Sequence, residues 1–239
     1  IEGSGKTYQI KKLNKSLKKR NIQTILTREP GGTLNAERIR KVILDDYFEK
    51  NQKKQFDKYT DTLLYLAARN EHVVNKLKPS LNKNKVVICD RFIDSTLAYQ
   101  VYGKGINKRL VDIIHKYILG NIKPNITFIL KANISKALYR IKNRRKINRY
   151  DKFSRTFYNR VQKAFCKIAR SDKKRYIVLD NSKDSDIVEK LILKKVLSTL
   201  KKWLLKKTRI ALLILGNSSN AKFAKLPIHM YFRVRRRVF

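Results

Sequence analysis

The sequence predicts an α/β fold in which a three-layer arrangement places helices on both faces of a parallel β-sheet. Four short, continuous, β-branched runs have the composition of strands buried on both faces: 24–27, 86–89, 126–130 and 176–179. Longer helical patterns separate these runs, and strands that alternate with helices build parallel sheets. The helical patterns cover 8–20, 36–44, 59–78, 108–119, 134–142 and 154–170.

Length and the distribution of charge divide the chain in two. The 239 residues are enough for one domain with an appendage. We expect the α/β domain over 1–200 and a basic extension of unknown role over 201–239, because the last part carries eleven Lys and Arg and no acid. Within this extension, the apolar run 210–215 is predicted to form a further strand.

Neither a membrane span nor a cysteine metal site is expected. The sequence contains no run of about 18 apolar residues, and its amino end lacks the pattern of a secretory signal. The two cysteines, Cys89 and Cys166, do not have the spacing of metal ligands and suit a reducing compartment. We therefore expect a cytoplasmic protein that does not bind membranes.

The charge of the chain is strongly positive. The formal net charge is +40, from 58 Lys and Arg against 18 Asp and Glu. Such an excess is typical of proteins that bind nucleic acids or phosphates. The lysines are nonetheless spread along the whole chain, as compositional drift would produce, whereas a nucleic-acid surface would cluster them. We expect no specific nucleic-acid partner, although this charge favours any polyanionic substrate.

The amino-terminal segment has the second half of a phosphate-binding loop. Gly5, Lys6 and Thr7 match the end of the pattern G-x-x-x-x-G-K-[ST] and are followed by a helical pattern. The first glycine of the pattern would precede Ile1, and we expect the first strand of the sheet to be missing from this chain together with it. A glycine-rich turn ahead of a basic helix is the alternative interpretation.

The residue types in this loop suit a nucleoside triphosphate. Glycine lets backbone N–H groups approach a phosphate without a Cβ clash, and the start of the helix adds partial positive charge. Lys6 is expected to contact the β- and γ-phosphates, and the hydroxyl of Thr7 to bind Mg²⁺. Gly3, Ser4 and Gly5 complete the predicted ATP site.

Further motifs follow the loop along the chain. They are TREPGGT at 27–33, YLAARNEH at 65–72, DRF at 90–92 and STLAYQ at 95–100. Together with EGSGKT at 2–7, this set resembles bacterial thymidylate kinases, members of the P-loop nucleoside monophosphate kinase family, over roughly residues 1–198. The resemblance implies a P-loop kinase fold, a homodimer, and transfer of the γ-phosphoryl group of ATP to dTMP with Mg²⁺, on the route to dTTP.

The resemblance implies an acceptor site for dTMP. Tyr65 corresponds to an aromatic side chain that stacks on thymine, and Arg69, one helical turn later, to an arginine that hydrogen-bonds the base. Arg91 corresponds to the arginine that holds the dTMP phosphate, and Tyr99 to a tyrosine that crowds a 2′-hydroxyl. The further residues implied for this site are Glu2, Arg28, Pro30, Thr96 and Gln100.

The resemblance also implies a donor side. Asp90 corresponds to an acid that lies near Mg²⁺, and Asn181 to the loop that contacts adenine. The segment 142–150 resembles a lid that closes over ATP. The basic residues of this expected lid are Arg144, Arg145 and Arg149.

Three residues are expected to act in catalysis. The loop positions 2–4 carry no basic residue, so a cation for the transferring phosphoryl group must come from elsewhere. In families with such loops the lid supplies it, and Arg149 is the best candidate here. Lys6 on the donor phosphates and Arg91 on the acceptor phosphate complete the expected set.

Other functions are compatible with parts of the sequence. Another nucleoside monophosphate kinase or a deoxynucleoside kinase would share the fold, but Tyr65, Arg69 and Tyr99 together argue for dTMP. A basic nucleic-acid-binding protein is a further alternative, although neither an aromatic stacking array nor a recognition-helix motif occurs. The chain is also interpretable as a fragment of a kinase with a misread tail.

Overall fold

The computed structural model describes residues 3–44, 56–143, 153–181 and 185–214. Its four strands are the four that the sequence predicts: β1 Thr24–Arg28, β2 Val86–Asp90, β3 Thr127–Lys131 and β4 Tyr176–Asp180. Strand β1 pairs in parallel with β2, from Thr24 opposite Val86 to Arg28 opposite Asp90. Strand β3 pairs in parallel with β4 in the same way. The predicted parallel α/β architecture is confirmed.

Helices connect and cover the strands. They are α1 Lys6–Lys18, α2 Leu34–Leu44, α3 Lys58–His72, α4 Lys78–Asn82, α5 Ile93–Thr96, α6 Tyr102–Lys104, α7 Lys108–Leu119, α8 Ile134–Lys142, α9 Arg155–Ser171 and α10 Ser185–Ile214. A π-turn over Val73–Leu77 joins α3 to α4, and another over Leu97–Val101 joins α5 to α6. Side-chain caps begin several of these helices, as when Ser154 Oγ accepts a hydrogen bond from the Phe157 N–H at the start of α9.

Helices cover both faces of the strands. In β3, Ile129 packs in a cluster with α8 and α9, whereas the next residue, Leu130, packs in a cluster with α1 and α10. In β2, Ile88 joins the α1 and α10 cluster, while Val87 packs against the π-turn residue Val73 and its neighbours. Successive side chains of a strand lie on opposite faces, so these contacts define three layers.

The last helix corrects one prediction. The run 210–215 was expected to form a strand, but Ile210 to Ile214 are the last residues of α10. A short apolar run fits a strand or a helix equally well, and here it continues a long helical stretch. Helix α10 also continues past residue 200 without a break. The expected boundary between an α/β domain over 1–200 and a basic extension over 201–239 stays a prediction. The helical segment over 93–104 and helix α10 itself had not been predicted.

An apolar groove separates the two strand pairs. Within the described part of the chain, hydrogen bonds link β1 to β2 and β3 to β4, and none joins the two pairs. The groove of about 430 Å³ runs between β2 and β3, over side chains of α1 and α10 that include Leu13, Ile192 and Val196. Backbone groups on the facing edges of β2 and β3 are therefore available to a further strand.

The topology brings the loops that follow β1 and β2 together with the loop that begins α1. Ligands of open parallel sheets bind beyond the carboxyl ends of the strands. Residues that follow these strands accordingly form the candidate site. No helix in the described segments has both the length and the apolar character that crossing a membrane requires.

Candidate active site

The segment Gly3–Gly5 forms a tight loop that leads into α1. Gly3 and Gly5 have φ angles of +68° and +84°, a region that side chains with Cβ rarely adopt. A Cβ on Gly3 would lie 2.5 Å from the carbonyl oxygen of Ala137, so the loop also requires glycine for its close approach to α8. The carbonyl oxygen of Ser4 accepts a hydrogen bond of 2.8 Å from Asn181 Nδ2.

The first turn of α1 places its polar groups at this loop. Lys6 Nζ lies 3.3 Å from Ser4 Oγ, and Thr7 is exposed. Arg140 of α8 donates a hydrogen bond of 3.2 Å to the carbonyl oxygen of Gly3. Free N–H groups at a helix start, a lysine and a nearby arginine together make an anion site suited to phosphates.

The loop opens into a cleft of about 390 Å³. The other walls come from the segments that follow β1 and β2, from α3 and from the helical segment 93–104. The residues that line the cleft are Gly3, Ser4, Gly5, Lys6, Thr7, Tyr8, Glu29, Pro30, Arg40, Leu44, Tyr65, Arg69, Asp90, Arg91, Phe92, Ser95, Thr96, Tyr99, Gln100 and Arg140.

Two arginines make one wall of the cleft positive. Arg91 has a φ of +69°, an uncommon conformation for a residue with a side chain, and its guanidinium carbon lies 5.2 Å from the centre of the Tyr99 ring. Arg40 of α2 donates a hydrogen bond of 2.7 Å to the carbonyl oxygen of Pro30. Burial and the positive charges of Arg28 and Arg91 lower the pKa of Arg40, against the opposing effect of Glu37. Two partly buried cations in one wall favour an anionic ligand there.

The floor of the cleft contains a buried network around Arg69. This arginine is 2% exposed, and its Nη2 lies 2.7 Å from Glu29 Oε2. Burial opposes ionisation of Glu29, but the charge of Arg69 and hydrogen bonds from His72 and Arg69 hold the pKa of Glu29 below its ordinary value. His72 Nδ1 lies 2.9 Å from Glu29 Oε1. A buried, fully ionised pair of this kind fixes the plane of the guanidinium.

Asp90 is the candidate metal ligand. It ends β2 at the cleft, and its buried Oδ1 has no hydrogen-bond partner among the described residues. A buried carboxylate oxygen without a partner calls for a ligand, and carboxylate oxygen suits Mg²⁺. No group of three or more His, Cys, Asp or Glu that could hold a metal occurs within the segments that the structure describes. The unpartnered oxygen of Asp90 and the hydroxyl of Thr7 fit an ion such as Mg²⁺, which usually keeps water and phosphate oxygens among its ligands.

The structure brings most of the predicted site residues to this one cleft. Arg28 is not among the lining residues, because it is exposed and forms an ion pair of 3.0 Å with Glu37 of α2. Asn181 is not a lining residue either, although it holds the loop through Ser4 and lies 3.4 Å from Gln9. The remaining predicted residues, which are Glu2, Arg144, Arg145 and Arg149, lie outside the described residues.

Several residues of the cleft were not identified from the sequence. Arg40 and Arg140 are single arginines on helical faces of a chain rich in Lys and Arg, so composition alone does not distinguish them. Glu29 belongs to a motif that was recognised, but its contact with Arg69 joins residues 40 positions apart. The signal that was available for it is the only carboxylate in the motif TREPGGT at 27–33, directly ahead of a proline and two glycines.

This arrangement suits transfer between two phosphate-bearing ligands. The cleft is lined by a glycine loop with Lys6 and also by two arginines, Arg40 and Arg91, and an aromatic side chain, Tyr65. A family model described as Thymidylate kinase matches residues 1–192. Two curated relatives carry the same name: one from Mycoplasma capricolum, 37% identical over 84% of this chain and 93% of the relative, and one from Halothermothrix orenii, 39% identical over 82% and 92%.

A solved structure agrees with the sequence matches. The crystal structure of thymidylate kinase from Ehrlichia chaffeensis superposes with a TM-score of 0.63 at 35% sequence identity and covers 82% of this chain and 93% of that chain. The fold is therefore that of a P-loop kinase. Taken with the match over 1–192, the likeness shows that this chain belongs to the thymidylate kinase family.

Proposed function

We propose that the protein transfers the γ-phosphoryl group of ATP to dTMP, giving ADP and dTDP for dTTP synthesis. The observation that carries this proposal is that the glycine loop at Gly3–Thr7 lines the same cleft as Arg91, Arg69 and Tyr65. A kinase must hold the two reacting groups in line within one site, because positioning and electrostatic stabilisation supply most of the rate.

On the donor side, Lys6 contacts the β- and γ-phosphates of ATP. The backbone N–H groups of Gly3, Ser4 and Gly5 surround a phosphate, and the start of α1 adds partial positive charge. Mg²⁺, when bound, neutralises charge on the phosphates, and Thr7 and Asp90 would hold it. The unpartnered Oδ1 of Asp90 supports this assignment.

On the acceptor side, Arg91 holds the dTMP phosphate. Its guanidinium carbon already lies 5.2 Å from the centre of the Tyr99 ring, a contact that limits the rotamer freedom lost on binding. Tyr65 stacks on the base and Arg69 donates a hydrogen bond to it. Pro30, Thr96 and Gln100 bound the same pocket, and Arg40 provides a second cation for the phosphate.

The remaining assignments concern residues that either lie outside the described segments or do not line the cleft. Arg144, Arg145 and Arg149 belong to a lid over ATP, and Arg149 stabilises the transferring group. Glu2 contacts the sugar, Arg28 lies near the acceptor phosphate, and Asn181 lies near adenine.

The protein is a cytoplasmic homodimer on this proposal. Sedimentation at micromolar concentration should therefore give twice the chain mass of 28.2 kDa.

A substrate panel tests the proposed function. ADP formation is measured with ATP and Mg²⁺ against dTMP, dUMP, UMP and dCMP. We expect dTMP to be the best acceptor, because Tyr99 would crowd a 2′-hydroxyl and the pocket accepts the 5-methyl group. One methyl group is worth about 1–3 kcal/mol, so dUMP should be a poor acceptor without being excluded. Equal use of dTMP and UMP would contradict the assignment of the acceptor pocket.

The same experiment separates the alternatives. A different nucleoside monophosphate kinase would prefer another member of the panel. A nucleic-acid-binding protein would turn over none of them, and would bind DNA with a steep dependence on salt concentration. Weak, salt-sensitive binding of DNA alongside rapid dTMP turnover is the result expected from charge that is spread over the chain.

A further inference from the structure

We infer that His115 on α7 is a positioning residue that orients Arg69 for recognition of the acceptor base. This inference rests on the proposed function, because it assigns a role within the same acceptor pocket. His115 belongs to none of the sequence motifs, does not line the cleft, and acts through Arg69.

The geometry gives Arg69 three partners on different sides. Nε donates a hydrogen bond of 2.8 Å to Glu29 Oε2. Nη1 donates a hydrogen bond of 2.8 Å to Thr96 Oγ1 and lies 2.6 Å from His115 Nε2. A guanidinium has five N–H groups in a fixed fork, and Nη1 carries two of them. Thr96 and His115 therefore occupy both N–H groups of Nη1.

The remaining donor capacity lies on Nη2. This nitrogen carries two N–H groups and, among the described residues, lies within ion-pair distance of Glu29 Oε2 alone. A carbonyl oxygen of a bound base would then accept a hydrogen bond from Nη2. The contacts of Nε and Nη1 hold the plane of the guanidinium in the orientation that this hydrogen bond needs. Removing His115 leaves an N–H group of Nη1 without an acceptor, and Arg69 can turn toward another partner.

His115 has the protonation state that this role requires. Arg69 is always charged, so the imidazole nitrogen that faces it must accept a hydrogen bond and cannot carry a proton. Burial and the charge of Arg69 lower the pKa of His115 to about 4. At neutral pH the ring is therefore uncharged, with its proton on Nδ1 and Nε2 free to accept.

The network extends from His115 to the strand β1. Glu29 links Arg69 to His72, and His72 Nε2 lies 2.7 Å from Thr27 Oγ1. Each of these residues is buried. Arg69 is thus fixed from the side of β1 through Glu29, and from the side of α7 through His115.

Three variants test the role of His115. His115→Leu removes the acceptor, and His115→Gln places an amide oxygen near the position of Nε2. Val111→Ala removes packing from the same helix and leaves the His115 imidazole in place. Val111 is fully buried, so it is a matched control for loss of stability. The KM values for dTMP and ATP, kcat and the melting temperature are measured for each.

His115→Leu should raise the KM for dTMP roughly 3- to 10-fold, as loss of one ordered hydrogen bond implies, and leave the KM for ATP within about twofold. His115→Gln should restore most of the dTMP affinity. Val111→Ala should lower the melting temperature without changing the KM for dTMP. Equal effects of His115→Leu and Val111→Ala on this KM would overturn the inference. A wild-type protein that does not use dTMP would instead contradict the proposed function.

Nitrogen-15 NMR of the wild-type imidazole provides a measurement that does not depend on folding of a variant. At pH 7 we expect the Nδ1–H tautomer of His115, and addition of dTMP should shift its Nε2 resonance more than addition of ATP does. A ring with its proton on Nε2 would overturn the inference, because such a ring offers Arg69 no acceptor.

Discussion

Replacing Arg69 should destabilise the protein strongly, because its partner is a buried charge. Arg69 and Glu29 are 2% and 4% exposed, and their charged atoms lie 2.7 Å apart. Arg69→Met keeps most of the volume and leaves the Glu29 carboxylate in the interior without its cation. Breaking a buried pair in this way costs about 3–5 kcal/mol. The total stability of a domain is typically about 5–15 kcal/mol, so the loss is a large fraction of it.

A second substitution separates the charge from the packing. Glu29→Gln in the Arg69→Met background removes the buried negative charge and keeps an oxygen for His72 Nδ1. We expect this double variant to recover at least half of the lost free energy of unfolding, since the two sites are directly coupled.

Urea unfolding at pH 7.5 measures the free energy of unfolding of the wild type and the variants. Arg69→Met within about 1 kcal/mol of the wild type would refute the description of the pair as buried and ionised. A double variant no more stable than Arg69→Met would refute the assignment of the cost to the unpaired carboxylate.

Three further predictions concern other parts of the account. Lys6→Ala should abolish phosphoryl transfer and leave dTMP binding by calorimetry nearly unchanged, because Lys6 serves the donor; near-normal turnover would contradict the loop assignment. Since burial lowers the pKa of His115 from 6.5 to about 4, the native protein resists protonation of a group that the unfolded chain protonates readily. The stability from this difference is complete above pH 6.5 and should fall by up to about 3 kcal/mol as the pH drops to 4. His115→Gln should lack this component, and an identical pH dependence of unfolding in both proteins would disprove it. In a further variant, an apolar strand that ends in glycine is fused ahead of Ile1 and the chain is cut after Leu200. The added strand should fill the groove between β2 and β3 and raise both the melting temperature and the rate of ADP formation. The same fusion with alternate strand residues changed to Lys should raise neither.

The strands and the tight glycine loop ahead of α1 were predictable because their signals are local. Buried β-branched runs gave β1 to β4 with shifts of about one residue at their ends. Glycines at Gly3 and Gly5, ahead of Lys6, indicate a tight backbone loop at a helix start, and their positive φ angles meet that expectation. Local sequence decides such features, because backbone sterics and strand burial act over a few residues.

The network behind the cleft was not predictable, because it joins distant segments. The Arg69–Glu29 and Arg69–His115 contacts span 40 and 46 residues, and a single histidine on α7 carries no local pattern. Helix α10 was missed for a different reason. Its apolar residues, such as Val188, Ile192 and Val196, are spaced among many lysines. The apolar run 210–215, which begins within the last turn of this helix, suggested a strand.

Transfer of label from ATP to dTMP is the defining activity of the proposed kinase and can be measured directly. The protein is incubated with Mg²⁺, dTMP and ATP labelled in the γ-phosphoryl group, and the products are separated by chromatography. We expect the label to appear in dTDP, in an amount equal to the ADP formed, and we expect omission of dTMP to abolish the transfer. Label released as inorganic phosphate at the same rate with and without dTMP would contradict the account, because the cleft would then hydrolyse ATP without holding an acceptor.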